Sequence, residues 1–294
     1  MNTTTHPTPK HVPTLPSPAQ YDAFHTVRAR TDLVARMYAA AMGADYPAEI
    51  GASSSCDWPL LGLITSRLSM RPGQLLVDAG CGTGGIGLWL ARALALRLDG
   101  FDVSPVAVTQ AAARRPYFLG NDTARATFRV ADLQNTSLPT SAAHGIVCID
   151  ALGRTRDRDQ AVAELGRVLA PGGRLVMTRS LRRDATPTWG EQAAAAGLVV
   201  EHVDERPGEP AMWERLYRLW IAHAHELRRE LGDAPAQRML AEAEQMLPAL
   251  PGRRAVLLTL HRPATAPDQD RTADRMASPD RHGGRHTPDE RIPQ

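Results

Sequence analysis

The sequence is short of the residues that mark several large protein classes. It has three cysteines in 294 residues, Cys56, Cys81 and Cys148. They lie far apart and form no CxxC pair, which excludes a disulfide scaffold and a thiolate metal cluster. No metal is expected, and free thiols fit a reducing, cytoplasmic setting. Lysine is nearly missing, since Lys10 is the sole lysine among 34 basic residues. We read that bias as base composition. Charge of one sign is missing too: the formal net charge is +2, which gives nucleic acid no field to land on. No apolar run approaches ~18 residues and no basic-then-apolar leader pattern opens the chain, so no membrane span is expected.

What is present is ordinary globular material, 43% hydrophobic and 22% charged. The ends differ from the middle. Residues 1–20 carry Pro7, Pro9, Pro13, Pro16 and Pro18 among Thr and Ser, and residues 263–294 are polar throughout. Neither stretch can bury enough apolar area to offset its ordering entropy, so both are expected to be disordered. The remaining 21–262 fits one domain.

Within that domain the apolar period predicts alternating elements. Phe24, Val27, Thr31, Val34, Tyr38 and Ala41 recur at threes and fours, predicting one helix over 19–43. Asp57 is a natural N-cap for a second, running to about Met70. Leu75-Leu76-Val77 reads as a buried strand, followed by a glycine-rich turn and a helix. Further strands are expected to end at Val103 and at Ala131, and to cover 145–150, 174–178 and 198–203. Helices from Ser104, near 158–169 and near 187–196 separate them. That alternation implies right-handed crossovers and a mostly parallel sheet. Residues 204–252 then read as two helical segments, before a last strand over 255–260.

The segment Asp78-Ala79-Gly80-Cys81-Gly82-Thr83-Gly84-Gly85 sits where a buried strand becomes a helix. Glycines there let backbone approach a ligand closely, and the helix start offers unpaired N–H groups. The bare G-x-G-x-x-G pattern also fits a nicotinamide site. Three acids argue otherwise. Asp78 before the first glycine would repel a pyrophosphate and suit an ammonium group. Asp102 ends the second strand, where a carboxylate can accept both ribose hydroxyls. Asp132 ends the third, where it can accept from an adenine amino group. Three acids at successive strand ends describe a nucleoside site without phosphates.

These segments resemble class I S-adenosylmethionine-dependent methyltransferases. LLVDAGCGTG (75–84) is similar to their first motif and GFDVSP (100–105) to their second. VADLQNTSLP (130–139) resembles the adenine-contacting motif, and ELGRVLAPGGRL (164–175) the helix and turn leading to the fifth strand. The resemblance implies an α/β, Rossmann-like seven-stranded sheet with the last strand antiparallel. An N-terminal helical cap (21–70) would precede a cofactor-binding core (71–203), and a helical insertion (204–252) would precede the last strand (253–262). It implies S-adenosyl-L-methionine as cofactor. Asp78, Gly80, Cys81 and Gly82 would surround its methionine part, Asp102 would hold the ribose with Val103 beside the adenine, and Asp132 and Leu133 would meet the adenine edge. Cys81 reads better as a small packed side chain than as a nucleophile, with no histidine partner near it in sequence.

Methyl transfer needs an acceptor held in line, and sometimes a base. The candidates are Asp150, at the end of the fourth strand, and Tyr21 and His25, one turn apart on the first helix, where they would close the site. The segment Ile149-Asp150-Ala151-Leu152 departs from the Asn/Asp-Pro-Pro-Tyr motif of amino-methylating enzymes. His223 and His225 are two apart and share no helix face, and His144 is expected at the surface. Arg154, Arg156, Arg158, Arg182 and Arg183 are expected to solvate loops, with an anionic acceptor group as the competing reading. Trp213, Tyr217 and Trp220 are expected to pack the insertion.

The expected function is methyl transfer to a small-molecule acceptor, of the kind seen in bacterial natural-product (antibiotic) biosynthesis, with no nucleic-acid or membrane partner. A non-methylating cyclase on the same fold, an RNA or protein methyltransferase and a nicotinamide-dependent oxidoreductase are the competing readings.

Overall fold

The computed structural model describes residues 16–264. The expectations for residues 1–15 and 265–294 lie outside the described residues. Residues 18–20 do not follow the expected disorder, because the first helix, α1 (Pro18–Arg28), starts there. Ser17 caps it: its hydroxyl accepts from the Gln20 N–H, and the Gln20 side chain accepts from the Ser17 N–H, a reciprocal capping box with proline at the first helical position.

The single helix expected over 19–43 is two. α1 stops at Arg28 and α2 runs Leu33–Met42. Thr31 Oγ1 accepts from the Leu33 N–H at 3.1 Å and also meets the Glu230 carboxylate. This side-chain competition with the backbone ends one helix and starts the next. α3 (Trp58–Leu68) follows, capped as expected by Asp57, whose carboxylate accepts from the Leu60 N–H at 2.8 Å.

The core then alternates: β1 (Leu75–Ala79), α4 (Gly85–Ala93), β2 (Arg97–Asp102), α5 (Pro105–Ala113), α6 (Arg115–Leu119), β3 (Ala126–Val130), β4 (Ala143–Cys148), α7 (Arg158–Val168), β5 (Leu169–Arg182), α8 (Trp189–Ala195) and β6 (Val199–Glu205). The insertion holds three helices where two were expected, α9 (Glu209–Ala222), α10 (Ala224–Leu231) and α11 (Asp233–Met246), and β7 (Arg253–His261) closes the domain. β5 is longer than expected at both ends: it starts at Leu169, paired with Ala143 of β4, and it pairs along nine positions with β7, from Arg174↔His261 to Arg182↔Arg253.

The sheet order is β3-β2-β1-β4-β5-β7-β6. The pairs among β1 to β5 are parallel, and β7 is antiparallel to both β5 and β6. This is the seven-stranded sheet with an antiparallel last strand that the motifs implied. Order reverses between β1 and β4, so a crevice opens beyond their carboxyl ends.

Side chains alternate across the sheet as strand geometry requires. Val77, Ile146, Leu175 and Leu258 enter the core on one face, with Leu165 of α7. Leu76, Val147, Val176 and Leu257 enter the other, with Leu88 of α4 and Ile64 of α3. Each fully buried Leu or Ile contributes roughly 1.5–3 kcal/mol of transfer free energy. A third cluster joins α2 to the insertion through Val34, Met37, Tyr38, Leu216, Tyr217, Trp220 and Leu240. Cap and insertion, about 170 residues apart in sequence, therefore form one helical layer. Tyr217 and Trp220 pack as expected, with Trp213 stacked on Tyr217 at a centroid distance of 5.5 Å.

Candidate functional site

The glycine turn after β1 is bound onto the end of β2. The Gly80 and Cys81 N–H groups both donate to the Phe101 carbonyl at 2.9 Å. The Asp102 carboxylate accepts from the Gly82 N–H at 2.9 Å and from the Ser104 N–H at 3.0 Å. Gly82 and Asp102, 20 residues apart, are thus brought together at the crevice floor. Gly80 is required twice over: its φ is +77°, and a Cβ there would lie 2.4 Å from Ala151 Cβ. The turn after β4 is pressed that closely against the turn after β1.

Asp78 is tied to the helix that follows the turn. It is 3% exposed, and its Oδ2 accepts from the Gly87 N–H at 3.0 Å. Burial pushes its carboxyl up to about 7, against the Gly87 hydrogen bond, with Asp102 adding to the rise. Its Oδ2 thereby braces the start of α4. Burial also raises the Cys81 thiol, whose S–H points to the Gly82 carbonyl at 3.5 Å. That keeps it a thiol and fits the packing role.

Val103 is half-buried beside Asp102, and Leu133 is buried at the end of β3. Asp132 is exposed on the rim, its carboxylate accepting from the Gln134 N–H at 2.7 Å.

α1 lies across this edge of the sheet. The Asp22 carboxylate accepts from the Val106 N–H at 3.2 Å and from the Ser104 hydroxyl, at the start of α5. Gln110 of α5 donates to the His25 carbonyl at 3.1 Å. Tyr21 and His25 both feel the Asp102 charge. Burial raises the Tyr21 hydroxyl and lowers the His25 imidazole, so both are neutral near pH 7. The His25 Nδ1 and the Tyr46 hydroxyl are buried without a hydrogen-bond partner among the described residues. The His25 Nδ1, close to Asp102, is an atom that a bound polar ligand could satisfy.

Asp150 has a left-handed backbone, φ +55°, uncommon for a residue other than glycine. Both its oxygens are engaged. Oδ2 accepts from the Ser55 N–H at 2.6 Å, and Oδ1 from the Thr178 hydroxyl at 2.8 Å. Arg206 extends the network, donating to the Ser55 carbonyl at 2.8 Å and the Ser55 hydroxyl at 2.9 Å, and pairing with Glu209. Burial, then the nearby Asp150 charge, pushes Glu209 up to about 7, with Arg206 pulling the other way. Sequence reasoning did not single out Ser55, Thr178, Arg206 or Glu209, since partners such as Ser55 and Arg206 lie 151 residues apart in the chain.

Arg154 meets Glu242 of α11 at 3.1 Å, and the Tyr217 hydroxyl donates to the same carboxylate oxygen at 3.1 Å. Arg182 is spent on Asp184 at 2.5 Å and stays exposed. His144 is exposed, as expected. Among the described residues no cluster of His, Cys, Asp and Glu is arranged to hold a metal, and no helix is long and apolar enough to cross a membrane.

Residues 76–173 match the family model of a methyltransferase domain. An O-methyltransferase of Pyrenophora dematioidea is 30% identical over 42% of this chain and 46% of its own. The methyltransferase GfsG of Streptomyces halstedii is 30% identical over 48% of this chain and 52% of its own. Residues 76–173 are thus a methyltransferase domain, and the chain is similar in sequence to methyltransferases of small-molecule type. It spans about half the length of these two curated relatives. A solved methyltransferase from Geobacter sulfurreducens, in complex with S-adenosylhomocysteine, superposes with a TM-score of 0.56 at 18% identity. That match covers 77% of this chain and 98% of that one. The [4+2]-cyclase SpnF superposes with a TM-score of 0.63 at 24% identity, covering 82% and 97%. The cofactor is S-adenosylmethionine, and the Asp102 carboxylate at the end of β2 beside the glycine turn fits its nucleoside.

Proposed function

We propose that this methyltransferase transfers a methyl group from S-adenosylmethionine to an oxygen of a small-molecule acceptor of natural-product type. The observation that carries the cofactor half is Asp102. It ends β2, ties down the Gly82 amide and lies under α1. A carboxylate in that position suits the two hydroxyls of a ribose. Gly80, Gly82 and Cys81 would let the backbone pass close to the methionine part. Val103, Asp132 and Leu133 would meet the adenine, with Asp78 acting through α4.

The cofactor supplies an electrophilic methyl group and its own leaving group. The protein then has to bind, orient and exclude water. Asp150 serves by holding the Ser55 loop against the ends of β4 and β5, which makes it a positioning residue in place of a base. Tyr21 is a neutral phenol beside Arg154 and Glu242, suited to orienting an acceptor hydroxyl by hydrogen bonding. His25 is a neutral imidazole with Nδ1 unpaired, able to accept a proton or a hydrogen bond.

Oxygen as acceptor, and a metabolite as its carrier, are supported by the O-methyltransferase of Pyrenophora dematioidea and by the 27-O-demethylrifamycin SV methyltransferase of Amycolatopsis mediterranei. The closed helical layer of cap and insertion suits a compact acceptor. The likeness in fold to a [4+2]-cyclase, over 82% of this chain, keeps a non-methylating reaction as the second reading. Calorimetry separates the steps: S-adenosylhomocysteine should bind the wild type. NAD binding in its place would contradict the proposal.

A further inference from the structure

Arg28, in the last turn of α1, is partly buried and has no carboxylate partner. Its Nη2 donates to the Gly51 carbonyl at 2.9 Å, and it takes part in no ion pair among the described residues. A guanidinium removed from water is costly unless an anion answers it. The charged neighbour here has the same sign. Arg114 is spent on carbonyls, donating to Thr83 at 3.0 Å and to Glu49 and Ile50 at 2.8 Å. The near carboxylate, Glu49, faces away from Arg28, accepting from Trp89 Nε1 at 2.9 Å and Arg92 at 2.6 Å. Beside Arg28 stand two hydroxyls, those of Tyr38 and Tyr46, and the Tyr46 hydroxyl is buried with no partner.

The place of this cluster along the sheet indicates the ligand. The loop carrying Ile50 and Gly51 lies on the start of α4, where the Ile50 carbonyl would sit 2.1 Å from a Cβ on Gly85. The same loop continues to Ser55, which holds Asp150 at the end of β4. Strand order runs β3, β2, β1, β4. An extended ligand with its adenine at β3 and its ribose at Asp102 on β2 has its far end at β1 and β4, against this loop. Resting on the cofactor assignment above, we infer that Arg28, with the Tyr46 hydroxyl, is the receiving site for the carboxylate of the cofactor's amino-acid end. A bidentate guanidinium–carboxylate pair would supply the missing counter-charge and tie the cap helix α1 to the bound cofactor.

The test compares two ligands by calorimetry, S-adenosylhomocysteine and 5′-methylthioadenosine, which lacks the amino-acid end. Arg28→Gln should weaken S-adenosylhomocysteine by ~10–100-fold and leave 5′-methylthioadenosine unchanged. Arg28→Lys, which keeps the charge and loses the fork, should fall between. Tyr46→Phe should show a smaller loss confined to the same ligand. Melting without ligand checks the fold: Arg28→Gln should melt no lower than the wild type, because it loses no carboxylate partner. Equal loss on both ligands, or loss on neither, overturns the inference. A loss that appears only in the KM of a methyl acceptor also overturns it, assigning Arg28 to an acceptor anion. Failure of the wild type to bind S-adenosylhomocysteine strikes the cofactor assignment itself and is seen before any variant is made.

Discussion

Asp78 and Asp102 end neighbouring strands, and the fold gives them opposite surroundings. Asp102 is half-buried at the crevice, accepting from two backbone N–H groups and adjoining α1. Its removal should cost the ribose its partner, so Asp102→Ala should weaken S-adenosylhomocysteine by ~10-fold or more in calorimetry. Undiminished binding would remove the ribose assignment. Asp78 is sealed under α4 with its carboxyl raised from 3.8 to about 7. A raised carboxyl binds a proton in the folded state before it does in the unfolded one. The protein should therefore lose stability as pH rises from about 4 to about 7, by up to ~1.4 kcal/mol per pH unit from this group. Melting of Asp78→Asn across that range should show a shallower decline than the wild type, and an identical slope would contradict the assignment.

At the scale of elements, the cap is held by a few polar contacts that can be cut singly. Asp22 pins α1 to the start of α5 through Ser104 and Val106. Asp22→Ala should speed amide exchange across 18–28 and weaken cofactor binding, leaving the sheet protected. Arg206 holds the Ser55 loop and Glu209 from side chains that are 9% and 8% exposed. Removing one partner of such a buried pair strands the other, so Arg206→Ala should cost ~3–5 kcal/mol in denaturant unfolding. The core elements were legible from sequence because buried parallel strands are continuous apolar runs and their turns are glycine-rich. Leu75–Ala79 and the Gly80–Gly85 turn show this directly. The break at 29–32 was not legible, because Thr31 continues the apolar stripe in spacing and ends the helix only through its hydroxyl. Likewise Asp150 was visible as an acid at a strand end, but its partners Ser55 and Thr178 are 95 and 28 residues away. Periodicity carries no signal over such separations.

At the scale of the molecule, two layers meet over one crevice. The sheet presents Asp102 and the glycine turn, α1 is pinned beside them at the start of α5, and cap and insertion join through Tyr38, Tyr217 and Trp220. The weak net charge of +2 suits a small acceptor better than a polyanion. The measurement that tests this most directly uses S-adenosylmethionine carrying an isotopic label in its methyl group. The full chain is incubated with it and a cell extract, and the extract is then separated by mass. Label appearing in the low-mass fraction, as one added methyl per acceptor, is the predicted result. Label confined to RNA or protein, or no transfer by a chain that binds S-adenosylhomocysteine, would contradict small-molecule methylation.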